Sequence, residues 1–273
     1  MSEARPPSSN RALLWAGVAV LCAWTLLPIY LLALGALGGR EIVSQWPKPF
    51  APLGLSLQTL GTFLAIEGVW RATWVSVKAA ALTMAMALAL GVPAGYALAR
   101  FRFRGAGAYR VLILMTRAFP VAILALPLTV SFIRLGVYDT PLGVALVHAV
   151  LATPFATLVC ASLFMGIPKE LEEAAWVFGC SRFTGFLRVV LPLALPGIAA
   201  ASIFAFVLSW NEVFAASVLT VRQRTLTAYL LSVLSESPLH LQFAGGLVLI
   251  VPSVLFIFLV RRRLFAMWGI GNR

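Results

Sequence analysis

The chain has 273 residues, of which 61% are hydrophobic and only 11% charged, and its mean hydropathy is +0.97. A soluble domain carries about 25% charged residues and could not hide this much apolar surface, so the composition assigns an integral membrane protein; apolar stretches of about 20 residues make it helical rather than a barrel. The formal charge of +12 does not signal nucleic acid, because the basic residues gather between apolar stretches, where they report topology.

Six spans are expected in chain order. A tail over 1–12 precedes the first, Leu13–Leu34, which is too long for the hydrophobic core of a cleaved leader and is flanked by Arg5 and Arg11. Gly38–Ala72 is the longest segment between spans; Pro47, Pro49 and Pro52 break it early, and its mildly amphipathic part, Leu55–Trp70, suits the membrane interface. The next spans are Thr73–Ala99, Val111–Ile133 and Leu142–Met165. A charged loop over 166–191 leads to Leu193–Leu219, which carries a polar interruption, then to Phe243–Val260 and a tail over 264–273. Pro93, Pro120, Pro127, Pro154 and Pro252 fall inside spans and predict kinks.

Lys and Arg orient these spans. With the N-terminus inside, the inner segments hold Arg5, Arg11, Arg100, Arg102, Arg104, Arg110, Lys169, Arg182, Arg188, Arg261, Arg262, Arg263 and Arg273, against Arg40, Lys48, Arg71, Arg134, Arg222 and Arg224 outside. Both termini and the 166–191 loop are therefore expected in the cytoplasm. No segment between spans is long enough for a sizeable soluble domain, and no Gly-x-x-x-x-Gly-Lys-[Ser/Thr] phosphate loop is present, so the chain is not its own ATPase of the common type. Cys22, Cys160 and Cys180 lie far apart and build neither a metal site nor a disulfide framework.

The loop reads KELEEAAWVFGCSRFTGFLRVVLP from Lys169 to Pro192. Pro168 suits a first helical position, Glu170, Glu172 and Glu173 crowd the first turns where the helix dipole favours them, and Gly179 is placed to end a helix over Pro168–Phe178. Ser181 suits the cap of a second helix, on which Phe183, Phe186, Leu187 and Val190 recur at one face. Ala174 and Ala175 permit close approach of another backbone. By residues alone the segment is either a docking surface for a second protein or a solvated connector.

Glu173-Ala174-Ala175, then Gly179, Val189 and Leu191-Pro192 resemble, with unbroken spacing, the Glu-Ala-Ala loop of ABC importer permeases. Phe178 departs from the pattern, since sugar-importing relatives usually carry Asp there. RFRFRGAGAYR (Arg100–Arg110) resembles that family's basic loop after the second span, RLGVYDTPLGVALVHA (Arg134–Ala149) its outer turn and fourth span, and SWNEVFAASVLT (Ser209–Thr220) the Trp-Asn-Glu segment of the maltose-type, six-span sugar permeases. Together these cover roughly Thr73–Arg263. The resemblance implies an all-α, type I importer architecture with a coupling helix at 168–178, where Glu170, Glu173, Ala174, Ala175 and Gly179 dock an ATPase. It implies a heterodimer with a sister permease, two ATPase subunits on the cytoplasmic face, and an extracytoplasmic sugar-binding protein, in a bacterial or archaeal plasma membrane. ATP and Mg would be bound by the ATPase; this chain would hold no cofactor or metal and no catalytic residue. The solute would be a di- or oligosaccharide.

Four residues are candidates for the solute path. Trp210, Asn211 and Glu212 interrupt the fifth span, where ionisable groups are costly and usually functional. Amide, carboxylate and indole suit a sugar, but Asn211 and Glu212 would equally satisfy unwound backbone or another helix. Arg117 lies too deep in the third span to snorkel easily; it is expected to face the interior, paired with Glu212 or a sister-subunit carboxylate, or lining the path. Lys78, nearer a span end, snorkels. His148 has no second histidine nearby and reads as a packed, hydrogen-bonded side chain. The competing classes are a stand-alone secondary transporter or channel, a membrane enzyme, and an ABC permease for a polyamine or polyol. The first should show an ion site or inverted repeat and the second convergent His, Asp, Glu or Cys; neither is visible.

Overall fold

A computed structural model describes residues 8–47, 49, 54–118, 120–233 and 235–267. Arg5, Lys48, Pro52 and Arg273 lie outside the described residues, as do most of the N-terminal tail and the end of the C-terminal one. All regular structure among the described residues is helical: α1 Ser8–Leu37, α2 Gly39–Ser44, α3 Gln58–Ala65, α4 Val69–Arg100, α5 Ala106–Met115, α6 Val121–Arg134, α7 Pro141–Gly166, α8 Glu170–Val177, α9 Arg182–Gly185, α10 Leu191–Asn211, α11 Phe214–Leu219, α12 Leu226–Val233 and α13 Leu239–Met267. A 3-10 turn, Thr116–Ala118, follows α5, and a π-helical stretch, Phe186–Val190, joins α9 to α10.

Five helical runs among the described residues are long and apolar enough to cross a membrane: Leu13–Leu37, Val69–Arg100, Pro141–Gly166, Arg182–Asn211 and Leu239–Val260. The expected third span, Val111–Ile133, is not one helix. α5 and α6 have 10 and 14 residues, about 15 and 21 Å at 1.5 Å per residue, so neither crosses alone. The break falls at Pro120, which lacks an N–H and adopts an extended conformation (ψ 121°) at the N-cap of α6. The expected fifth span is shifted as well. Its helix starts at Arg182 and stops at Asn211, and Phe214–Leu219 is a separate short helix after the polar break.

The chain divides into two compact units, residues 1–66 with 234–248, and residues 67–233 with 249–273. In the first, Gly35 faces the ring of Phe243, and Gly246 faces Leu32, whose Cδ1 would lie 3.0 Å from an added Cβ. Of the amphipathic stretch only Gln58–Ala65 is helical within this unit, and it buries Phe63 completely.

The second unit is built on α4 and α7. Gly91 and Gly95 of α4 lie against Ala156, Thr157 and Cys160 of α7 so closely that a Cβ on Gly95 would be 2.7 Å from that of Cys160 and 2.8 Å from the Ala161 nitrogen. Small residues at helix contacts let backbones approach where lipid offers no hydrophobic drive. α10 completes this core with Ala194, Ala201 and Ala205, beside Ala87, Ala152 and Phe164. A second core joins Ala79, Phe132, Val144, Ala215, Leu219 and Ala228. Unit two therefore has one tightly packed helix pair that carries one polar cluster at its Arg100 end and another along its length, at Thr83 and His148.

Candidate functional site

One cluster is the loop after α7. α8 begins at Glu170 with Lys169 as its N-cap, two residues after Pro168, so Pro168 is not a first helical residue. Glu170, Glu172 and Glu173 occupy the first turn as expected. Gly179 ends the helix at φ 88°, with its N–H donating to Trp176 O at 2.9 Å and that of Cys180 to Ala175 O at 3.0 Å, which is a left-handed C-terminal cap. Ser181 accepts from Thr184 N at 3.1 Å and caps α9. Glu170, Glu173, Ala174 and Gly179 are exposed and Ala175 half-buried. Beside them Val177 and Phe178 are 85% and 86% exposed, an apolar tip at the end of the helix. The expected single apolar face of the second helix does not hold together, because the π-helical stretch changes the register: Val190 is buried, Phe183 exposed.

Glu172 points the other way. It is buried against α4, where it ion-pairs with Arg100 and accepts from Tyr96 Oη at 2.8 Å. Arg100 also donates from Nη1 to Phe164 O at 2.6 Å and from Nη2 to Ile167 O at 3.0 Å, the open carbonyls at the end of α7. Tyr96 packs edge-on to Phe164. Arg182 lies over Trp176 at 5.4 Å. A cavity of about 540 Å³ opens between α8 and the end of α4, lined by Tyr96, Arg100, Lys169, Glu173, Trp176 and Phe186 among others. Arg100 and Glu172 are not among the residues expected at this site; the signal for them in the sequence is a third Glu on a face opposite to Glu170 and Glu173.

The second cluster surrounds the break after α10. Glu212 accepts at Oε1 from Ala215 N (3.0 Å) and at Oε2 from Ala216 N (3.2 Å), capping α11 with its carboxylate. Its Oε2 lies 2.9 Å from Nε2 of fully buried His148, whose Nδ1 is 2.8 Å from Ser209 Oγ. Thr83 Oγ1 of α4 adds a hydrogen bond to Ser209 Oγ at 3.1 Å. Thr227 Oγ1 donates to Glu212 O at 2.9 Å. Trp210 is buried, stacked on Phe206, with its indole N–H donating to Leu249 O at 2.9 Å. Of the three interrupting residues only Asn211 is exposed. Trp210 and Glu212 thus satisfy the break itself.

Arg117 is not brought to Glu212. It lies exposed in the 3-10 turn between α5 and α6, its guanidinium 5.8 Å from the Phe204 ring centroid, and Phe204 stacks on Phe155 at 3.7 Å. The break at Pro120 moves it off the helix face that a continuous span would have offered. His148, by contrast, is packed and hydrogen-bonded as expected. Lys78 is exposed. No group of three metal-ligating side chains occurs among the described residues.

At the far end of α7, Asp139 closes the turn after α6. It has φ 56°, and its Oδ1 accepts from the N–H of Val221, Arg222 and Gln223 at 2.8, 3.0 and 2.9 Å. Burial alone would raise its pKa, but the three backbone donors outweigh it and hold the carboxyl below its ordinary value. Thr140 accepts from Gly143 N and Pro141 opens α7, a helix start legible in Asp-Thr-Pro.

The family model described as "Binding-protein-dependent transport system inner membrane component" matches residues 91–264. A putative ABC transporter permease of Streptomyces antibioticus is 37% identical over 156 residues, covering 56% of this chain and 68% of that protein. A trehalose transport system permease of Mycobacterium tuberculosis is 31% identical over 159 residues, 56% of this chain and 58% of its own length. A diacetylchitobiose uptake permease of Streptomyces coelicolor is 30% identical, with 54% and 50% covered. The chain thus spans about half the length of the last two, 58% and 50%. Among solved structures, a bacterial ABC transporter involved in import of the acidic polysaccharide alginate matches with a TM-score of 0.73 at 19% identity, over 96% of this chain and 100% of that one. A methionine ABC transporter matches with a TM-score of 0.58 at 20% identity, over 76% and 97%. At these identities the structural likeness speaks for the fold.

Proposed function

Since the chain belongs to the family of binding-protein-dependent transport system inner membrane components, we propose that it is the permease subunit of an ATP-driven sugar importer. It forms half of the solute path with a sister permease and takes a di- or oligosaccharide from an extracytoplasmic binding protein. The observation that carries this reading is the α8 loop: an acidic helix start, Glu173 and Ala174 turned outward with Ala175 half-buried beside them, and a stop at Gly179 with φ 88°. That is a preformed convex element suited to a groove on an ATPase subunit, which would bind ATP and Mg. The relatives named for trehalose and diacetylchitobiose support a sugar as solute. In this reading both termini and α8 face the cytoplasm, in a bacterial or archaeal plasma membrane, and Asn211 and Arg117 are the side chains available to the path.

The test is reconstitution. The chain is purified with its sister permease and ATPase, placed in proteoliposomes, and assayed for ATP hydrolysis with and without sugar-loaded binding protein. Stimulated hydrolysis with uptake of the sugar supports the reading. A chain that moves solute alone, without an ATPase, would return it to the secondary-transporter class.

A further inference from the structure

One guanidinium joins three helix ends. Arg100 is the last residue of α4. It ion-pairs with Glu172 of α8 and donates to the Phe164 and Ile167 carbonyls that close α7. Tyr96, one turn back along α4, adds its hydroxyl to the same carboxylate at 2.8 Å. The Arg100 and Glu172 side chains are only 7% and 4% exposed, so removing one leaves the other charged and without compensation. α8 has eight residues, too few to hold a helix in place without outside contacts. Trp176 ties it to Arg182 and Gly185 of the helix that follows, and Glu172 is its grip on α4.

What Glu172 grips is stiff. α4 and α7 meet through Gly91 and Gly95 with no room for an extra methyl group, and close-packed interiors transmit displacement rather than absorb it. Farther along the same two helices, Thr83 and His148 hold Ser209 and Glu212 at the break after α10. Thr83 is seventeen residues before Arg100, about 25 Å at 1.5 Å per residue.

We propose that Arg100 is the positioning residue of coupling: it makes α8, α4 and α7 one body, so that a displacement of α8 by the ATPase reaches the break at Glu212. The adjacent carboxylates divide the work. Glu173 faces outward to the partner, and Glu172 faces inward to Arg100. This inference rests on the permease reading above.

The experiment uses the whole complex in proteoliposomes, with Arg100→Gln, Glu172→Gln and Tyr96→Phe. Two quantities are read: ATPase retained by the permease after size exclusion, and ATP hydrolysed per solute imported. The ATPase stays bound in all three variants. The ATP-to-solute ratio rises several-fold in Arg100→Gln and Glu172→Gln, and less in Tyr96→Phe. The double variant Arg100→Gln/Glu172→Gln is no worse than either single one, and Arg100→Lys restores part of the wild-type ratio. An unchanged ratio in the complexes that do assemble, with activity falling only as assembly falls, would overturn the proposal. If Arg100→Gln does not assemble, unchanged ratios in Glu172→Gln and Tyr96→Phe overturn it equally. A wild-type complex without stimulated hydrolysis would remove the permease reading, and this inference with it.

Discussion

His148 Nε2 lies 2.9 Å from Glu212 Oε2, inside the apolar body of the second unit and 64 positions away in sequence. The pair fixes the break after α10 from one side while the N–H groups of Ala215 and Ala216 fix it from the other. A carboxylate with three partners is a structural cap, whereas its neighbour Asn211 remains exposed. The two residues should therefore separate in experiment. Glu212→Ala leaves His148 Nε2 and two N–H groups unpaired, at about 1–3 kcal/mol for a buried group, and should lower the thermal midpoint of the complex. Asn211→Ala should leave the midpoint unchanged and reduce uptake. A stable Glu212→Ala complex with impaired uptake would move the carboxylate back into the path.

Packing between α4 and α7 predicts a sharp contrast between two glycines. Gly95→Ala puts a methyl group 2.7 Å from Cys160 Cβ and 2.8 Å from the Ala161 nitrogen. Backbone cannot step aside, so the helices must part, at a cost of about 1–3 kcal/mol. Gly107→Ala, in α5, meets nothing within 4 Å and should be neutral or slightly stabilising through helix propensity. Thermal unfolding of the two variants in the same detergent checks this; equal midpoints would mean that the pair has slack.

Much of this was legible in the sequence, and the failures have definite causes. Hydropathy marked the long helices because a span needs about 20 apolar residues whatever surrounds it. The α8 helix and the Gly179 stop were legible because caps and dipoles act within one turn. The break in the third span was not, since Pro120 parts α5 from α6 inside a stretch whose hydropathy reads as one span. Of the alternatives open to Arg117, the pairing with Glu212 is not formed, because Arg117 lies exposed in the 3-10 turn. In sequence Glu172 is one of three first-turn acids with nothing to single it out. Its bond to Arg100 spans 72 positions, and only the packing of α4 on α7 creates it. Trp210 and Glu212 stand out in the sequence as a polar interruption, but whether they serve solute or backbone depends on His148, Ser209 and Leu249.

Asp139 gives a pH-dependent prediction. Its folded pKa is below the ordinary value, so its contribution is present above about pH 3.9, the unfolded value, and is lost as pH falls through the lower folded value. Asp139→Ala removes the acceptor of three N–H bonds at a half-exposed turn, where water replaces part of them. The loss should be about 1 kcal/mol at neutral pH. The gap between wild type and variant should narrow as pH drops below about 4. A gap that stays constant from neutral pH to below the folded value would show that the charge of Asp139 is not what holds residues 221–223.

Gly179 tests whether α8 acts through its shape. Nothing lies within 4 Å of a Cβ built there, so any effect of substitution on this chain alone comes from φ 88°. Gly179→Asn, which tolerates that region, should keep the loop nearly intact. Gly179→Val should strain it by about 1–3 kcal/mol and also place a branched side chain on the exposed surface of the loop. Glu173→Lys reverses a charge in the first turn of α8, where the helix dipole favours a carboxylate. None of these touches a long helix, so the sister permease should stay bound in all of them. The ATPase should dissociate from Gly179→Val and Glu173→Lys, or hydrolyse ATP without responding to loaded binding protein, while Gly179→Asn keeps most of the response. Pull-down followed by stimulated ATPase assays reads all three. Wild-type behaviour of both Gly179→Val and Glu173→Lys would make α8 a connector between α7 and α10, and would take away the observation on which the proposed function stands.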